Sequence, residues 1–122
     1  MRDDLLGDEL TLHGRTGRIE TVGRRSGRPA SATIGFVERD DGSLAVAAGS
    51  SRADWARNLI ANPRCRFTIG PVTRHCIAEL LEGPEHAAAV RELILKYGTP
   101  AERLGAGPAF VLLPVLDDGR AR

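Results

Sequence analysis

The stretch Arg64-Cys65-Arg66-Phe67-Thr68-Ile69-Gly70-Pro71-Val72-Thr73-Arg74-His75-Cys76-Ile77-Ala78-Glu79-Leu80-Leu81 decides the fold class. Two runs, Arg64 to Ile69 and Val72 to Leu81, flank a Gly-Pro pair, and Cys65, Phe67 and Ile69 alternate with polar residues. Period-two alternation broken by a turn pair is the pattern of two antiparallel strands that bury one face. If the turn has only two residues, Ile69 stands opposite Val72, Phe67 opposite Arg74 and Cys65 opposite Cys76. The two cysteines are then cross-strand neighbours. A disulfide is conceivable there, but two reduced, core-facing thiols are expected of a cytoplasmic chain, and no chemistry is assigned to them.

Outward from this hairpin, turn signals recur about every ten residues, as in a mostly antiparallel domain with a few helices, and the reading is α+β. Upstream, a strand is expected within Thr11 to Val22, ending at Gly23-Arg24-Arg25-Ser26-Gly27, with a second from Ala30 to Glu38. Asp40-Asp41-Gly42-Ser43 supplies the next turn, and a strand from Leu44 to Ala48 runs into Gly49-Ser50-Ser51. There Ser51 is placed to cap a helix, with Asp54 in the capping-box position, and Trp55, Ala56, Leu59 and Ile60 recur at helical spacing before Asn62-Pro63. Downstream, a helix follows Gly83-Pro84 with Val90, Leu93, Ile94 and Tyr97 on one face and Gly98 as its stop. Thr99-Pro100-Ala101-Glu102 starts a further short helical turn, and Ala109 to Val115 is the last strand.

A chain of 122 residues fits a single domain, 1–122. Its 42% hydrophobic and 27% charged residues are an ordinary globular mix. The longest nearly uninterrupted apolar run, Ala109 to Leu116, holds a proline and falls far short of the roughly 20 residues a membrane helix needs. The acidic start has no apolar core of signal-peptide length, so a cytoplasmic protein without a transmembrane segment is expected. The net charge of +1 argues against a general polyanion binder, and with few aromatic rings to stack bases nucleic acid is the weakest of the partners. Yet residues 15–66 carry ten arginines against five acids. Arginine's planar donor fork suits fixed anion contacts, and a plain preference for arginine explains the overall excess equally well.

Much common chemistry is absent. The three histidines form no metal-spaced set with the cysteines, so no metal site is expected. No G-x-S-x-G, P-loop or G-x-G-x-x-G follows a strand, and the paired acids sit in turns or ends. No catalytic residue stands out. An enzyme without an evident acid, base or nucleophile works when a bound redox cofactor supplies the chemistry and the protein supplies position and field. Two segments suit an anionic ligand. Gly23-Arg24-Arg25-Ser26-Gly27-Arg28 joins guanidinium groups to glycine backbone, although a solvated turn accounts for it as well. Gly49-Ser50-Ser51 leads into a helix N-terminus beside Trp55, where the alternative is a serine cap and a core tryptophan.

The order of these motifs resembles a known family. Thr21-Val22-Gly23-Arg24-Arg25-Ser26-Gly27-Arg28-Pro29, then Ala47-Ala48-Gly49-Ser50, then Trp55-Ala56-Arg57-Asn58-Leu59-Ile60-Ala61-Asn62-Pro63 are similar to the deazaflavin (F420)-dependent nitroreductase family. That family joins T-x-G-R-[KR]-[ST]-G to W-x-x-N-L-x-A-N-P. The resemblance implies a split β-barrel of the flavin-reductase type, mostly antiparallel and six-stranded with two to three helices. It also implies coenzyme F420, a 5-deazaflavin with a phosphodiester and polyglutamate tail, and hydride transfer to a small conjugated electron acceptor such as a quinone, nitro-aromatic or enone. By the same resemblance Arg24, Arg25, Ser26, Gly27 and Arg28 meet the phosphate or tail, and Ser50, Ser51, Trp55 and Asn58 line the other side of the cofactor groove. Tyr97, the chain's one tyrosine, is the candidate for the substrate pocket. The family's arginine and proline-leucine pair after the turn are replaced by Ala30-Ser31-Ala32-Thr33-Ile34, so the substrate does not carry over. FMN or another flavin in the same barrel, and a non-catalytic binder of an anionic small molecule, are the alternatives. The apolar last strand suits a homodimer.

Overall fold

The structure, a computed structural model, describes residues 3–115. The elements run α1 (Asp3–Thr11), β1 (Thr16–Val22), β2 (Pro29–Gly35), β3 (Val37–Glu38), β4 (Leu44–Ala47), α2 (Asp54–Ala61), β5 (Arg64–Ile69), β6 (Val72–Leu81) and α3 (Pro84–Tyr97). A 3-10 helix, Thr99–Ala106, and β7, Ala109–Pro114, complete the order. The β5–β6 hairpin has the register its alternation dictates, with Ile69 opposite Val72, Phe67 opposite Arg74 and Cys65 opposite Cys76. Gly70 supplies the positive φ of 57° that a two-residue connection demands.

One antiparallel sheet has the strand order β2-β1-β5-β6-β7-β4-β3. Its two ends, β2 and β3, are separated in sequence only by Phe36, so the chain itself bridges the edges and the sheet curls into a split barrel. The single strand expected from Ala30 to Glu38 is therefore two, and the barrel counts seven strands rather than six. The break has a cause. Phe36 donates its N–H to Tyr97 Oη at 3.1 Å, and its carbonyl accepts from Lys96 Nζ at 2.6 Å. Its backbone thus bonds the end of α3 instead of a neighbouring strand. The Lys96 ammonium also lies 3.6 Å over the Phe36 ring, and burial followed by the nearby Arg15 charge pulls its pKa down.

Helix α1 is an addition to the sequence reading, whose acidic start hid the pair Leu6 and Leu10 one helical turn apart. Both are buried, and Gly7 brings the helix close to the backbone of Thr33 in β2. Helix α2 begins at Asp54 without a side-chain cap, because Ser50 Oγ accepts from Arg52 N–H at 3.0 Å and Ala53 takes the N-cap position. The cap expected from Ser51 does not form. Ile60 is 60% exposed, and α2 instead buries Trp55, Ala56, Asn58 and Leu59. Asp41 is a turn-former: its carboxylate accepts from Ser43 N–H and Oγ–H at 2.9 and 2.6 Å, which holds its pKa below the ordinary value.

Two cores lie on opposite faces of the sheet. Ile19, Ile34, Leu44, Val46, Phe67, Phe110 and Leu112 fill the barrel, which Trp55 and Leu59 of α2 help to close. Ala45, Ala47 and Ala109 face outward and are covered by Leu93 and Tyr97 of α3 and by Leu6 and Leu10 of α1. Strand β7 lies between β6 and β4 with Ala109 to Leu112 buried inside the chain. Ala109, Phe110 and Leu112 serve these cores. On β5 and β6 the residues that alternate with the core, Arg64, Arg66 and His75, are exposed.

Candidate functional site

The β1–β2 connection is a six-residue tip from Gly23 to Arg28, closed by Gly23 N–H donating to Arg28 O and Gly27 N–H donating to Gly23 O, both at 2.8 Å. Gly27 has φ 74°, a conformation side chains rarely adopt. Ser26 Oγ accepts from Arg28 N–H at 3.0 Å and folds the tip on itself. Among the described residues the Arg25 and Arg28 side chains have no hydrogen-bond or ion-pair partner, and both are exposed.

Arg24 is different. Its backbone N–H and its Nη1 both donate to Asn58 Oδ1, at 3.1 and 2.8 Å, and its Nη2 meets Asp54 Oδ1 at 3.0 Å. Asn58 completes the set by donating from Nδ2 to Thr21 Oγ1 at 3.0 Å. The W-x-x-N helix and the G-R-R-S-G turn are therefore bonded to each other, and Arg24 is a clamp between them. Asn58, 3% exposed, has its polar atoms occupied by that clamp.

The other site residues read from sequence divide further. Trp55 is 4% exposed with its ring 6.0 Å from that of Phe110, so it packs in the barrel core rather than lining an open groove. Ser50 and Ser51 lie in the loop before α2, and Ser50 Oγ is engaged by Arg52 N–H. Tyr97 is 1% exposed, donates its phenol proton to Arg15 O and accepts from Phe36 N–H. Burial raises its pKa. It holds the barrel seam, buried between Arg15 and Phe36.

Beside the turn lies a groove of about 480 Å³. Gly27 and Pro29 of the turn side, Val22 and Glu20 of β1, Arg64 and Arg66 of β5, His75 and Ile77 of β6, and Val115 are among its walls. Arg66 donates from Nε and Nη2 to Glu20 Oε1, an ion pair on the groove wall. Sequence reading missed Arg64, Arg66 and His75, although the register that pairs Cys65 with Cys76 also sets Arg66 opposite His75. The missing information was that no core covers this side. Cys65 and Cys76 border the groove as free, buried thiols. Burial, followed by the neighbouring Cys76, pushes Cys65 up to about 12, and burial raises Cys76 as well, which disfavours the thiolate at both.

A curled antiparallel sheet whose two ends meet at Phe36, with a basic hairpin tip clamped to a short helix, has the architecture of a split barrel. Residues 9–104 match the F420H2-dependent quinone reductase family, and the chain belongs to that family. It is an F420-dependent oxidoreductase, and its cofactor is coenzyme F420. Among solved structures, an F420-H2 dependent reductase (FDR-A) is similar, at 24% identity and a TM-score of 0.68 over 80% of this chain and 93% of that one. A domain-swapped dimer matches at 24% identity and TM-score 0.68 over 80% and 79%. The heme storage protein HutZ from Vibrio cholerae matches at 21% and 0.70 over 96% and 93%. At such identities the likeness speaks for the fold. No curated protein sequence matches. Among the described residues no helix is long and apolar enough to cross a membrane.

The residues present fit F420. Its anionic tail asks for exposed cations, which Arg25 and Arg28 provide, and its flat ring asks for a trough with apolar wall residues, which Val22, Pro29, Ile77 and Val115 provide.

Proposed function

We propose that the protein reduces a small conjugated acceptor at the expense of F420H2, with a quinone as the favoured acceptor and nitro-aromatics or enones as further ones. The observation that supports this most is the continuity of the basic tip with the groove through Gly27 and Pro29. The bound cofactor supplies the hydride. Arg25, Ser26, Gly27 and Arg28 hold its anionic end, and Arg64 extends that positive field along the groove. Val22, Pro29, Ile77 and Val115 give a water-excluding wall against which two flat molecules stack. Orientation of the two reactants then carries most of the rate effect, and no protein nucleophile is needed.

The test mixes purified protein with F420 and follows deazaflavin fluorescence, then adds a short-chain quinone to the reduced complex and follows the return of oxidised cofactor absorbance. Binding without any turnover across quinones, nitro-aromatics and enones would leave only a binding module. The reading puts the reaction in the cytoplasm, where thiols such as Cys65 and Cys76 stay reduced. Its oligomeric part is a two-fold dimer, supported by the likeness to a domain-swapped dimer, and sedimentation reads it directly.

A further inference from the structure

Hydride transfer gives the acceptor two electrons and one hydrogen, so a quinone that becomes a hydroquinone must gain its second hydrogen as a proton on oxygen. We infer that His75 delivers that proton. The inference rests on the reading that the groove is where reduction takes place. In the step proposed, an imidazolium N–H bond of His75 breaks as the O–H bond of the hydroquinone forms. The hydride reaches the acceptor from reduced F420, and the neutral imidazole regains its proton from water.

The groove walls single out this residue. Arg64 and Arg66 are arginines, a side-chain type that serves as a fixed hydrogen-bond donor and not as an acid. Cys65 and Cys76 are buried thiols with raised pKa values, and their partners across the sheet fix them on the core side. Glu20 is held by two donors of Arg66. Histidine is the side-chain type that exchanges a proton near neutrality. His75 is exposed, and its ring has no hydrogen-bond partner among the described residues. Its backbone is fixed by pairing with Arg66 across β5–β6 and by Val115 N–H donating to its carbonyl at 2.9 Å. The charged groups that face it are Arg66 and Arg64 from β5 and Glu20 from β1, while the β7 side contributes the apolar Val115. An exposed imidazole on a fixed backbone, at the wall of the groove, suits a proton donor.

His75→Gln keeps the size and polarity of the side chain and removes the titrating group. The expected result is F420 affinity within about twofold of the parent and turnover near neutrality lower by roughly 10²-fold, the usual range for losing a general acid. The pH–rate profile should lose the limb on which rate falls as pH rises. As a readout independent of turnover, the ring nitrogen resonances of His75 in the complex with oxidised F420 should shift when hydroquinone is added. Unchanged turnover and pH profile in the variant, with F420 still bound, overturn the role of His75 alone. If F420 binds and Arg64→Ala changes neither its affinity nor the quinone KM, the groove is the wrong place and both readings fall.

Discussion

Replacing Arg24 by alanine separates a structural clamp from an anion ligand. The substitution removes the 2.8 Å bond from Nη1 to Asn58 Oδ1 and the 3.0 Å pair with Asp54, while Asn58 Oδ1 keeps the Arg24 backbone N–H. A charged donor on a buried amide oxygen is worth about 1.5–3 kcal/mol. The Asp54 pair adds only a few tenths, because that carboxylate is 82% exposed and solvent screens it. No buried acceptor is left orphaned, so the net loss should be about 2 kcal/mol, or about 8 °C in Tm for a domain of this size. Asp54→Asn, by the same reasoning, should move Tm by less than about 2 °C. Thermal unfolding followed by circular dichroism reads both, and F420 titration runs in parallel. Arg24→Ala should weaken cofactor binding indirectly, since the tip it anchors carries Arg25 and Arg28. If Arg24→Ala unfolds at the parent temperature while F420 affinity collapses, the guanidinium is a direct ligand and the clamp argument is wrong.

Three further expectations follow from the same geometry. Arg25→Ala and Arg28→Ala should each weaken F420 about tenfold, the order of a lost charge-assisted hydrogen bond, with Tm unmoved; equal affinities by fluorescence titration would rule out the tip as the anion site. Tyr97→Phe removes the bond to Arg15 O and leaves Phe36 N–H unmatched, so chemical denaturation should show a loss of about 1–3 kcal/mol, with acceptor preference unchanged in turnover assays. Burial pushes the Cys65 thiol up to about 12 from its ordinary value of 9.0. A raised pKa means the stabilisation is whole below pH 9 and is lost as pH climbs towards 12, at about 1.4 kcal/mol per unit. Urea midpoints measured between pH 8 and 10.5 should therefore fall less steeply in Cys65→Ala than in the parent protein.

Where sequence signals were local and periodic, the fold was legible. The alternation of Cys65, Phe67 and Ile69 set the β5–β6 register, and Val90, Leu93 and Tyr97 set the buried face of α3. Long-range geometry was not legible in the same way. Nothing adjacent to Phe36 announces that its backbone will be captured by Lys96 and Tyr97, so one strand was read where two exist. Trp55 and Asn58 stand at the positions of a cofactor motif, yet helix α2 turns both inward, and only the tertiary contact with Thr21 and Arg24 shows why an asparagine is needed. The groove was hidden for a similar reason. Arg64, Arg66 and His75 look like the solvated side of a strand until it is seen that neither core reaches them.

The seam at Phe36 also sets an order of events in folding. Tyr97 bonds residues 61 and 82 positions upstream, so the seam at Phe36 is not pinned until α3 exists. During synthesis the β1–β2 hairpin can pair locally, but β1 must wait for β5, and β4 for β7 at the far end of the sequence. Contacts of such sequence separation fold slowly and leave strand edges exposed meanwhile. The last turn of α3 is thus the commitment point of the barrel, and substitutions at Lys96 or Tyr97 should lower the yield of native protein more than their effect on final stability suggests.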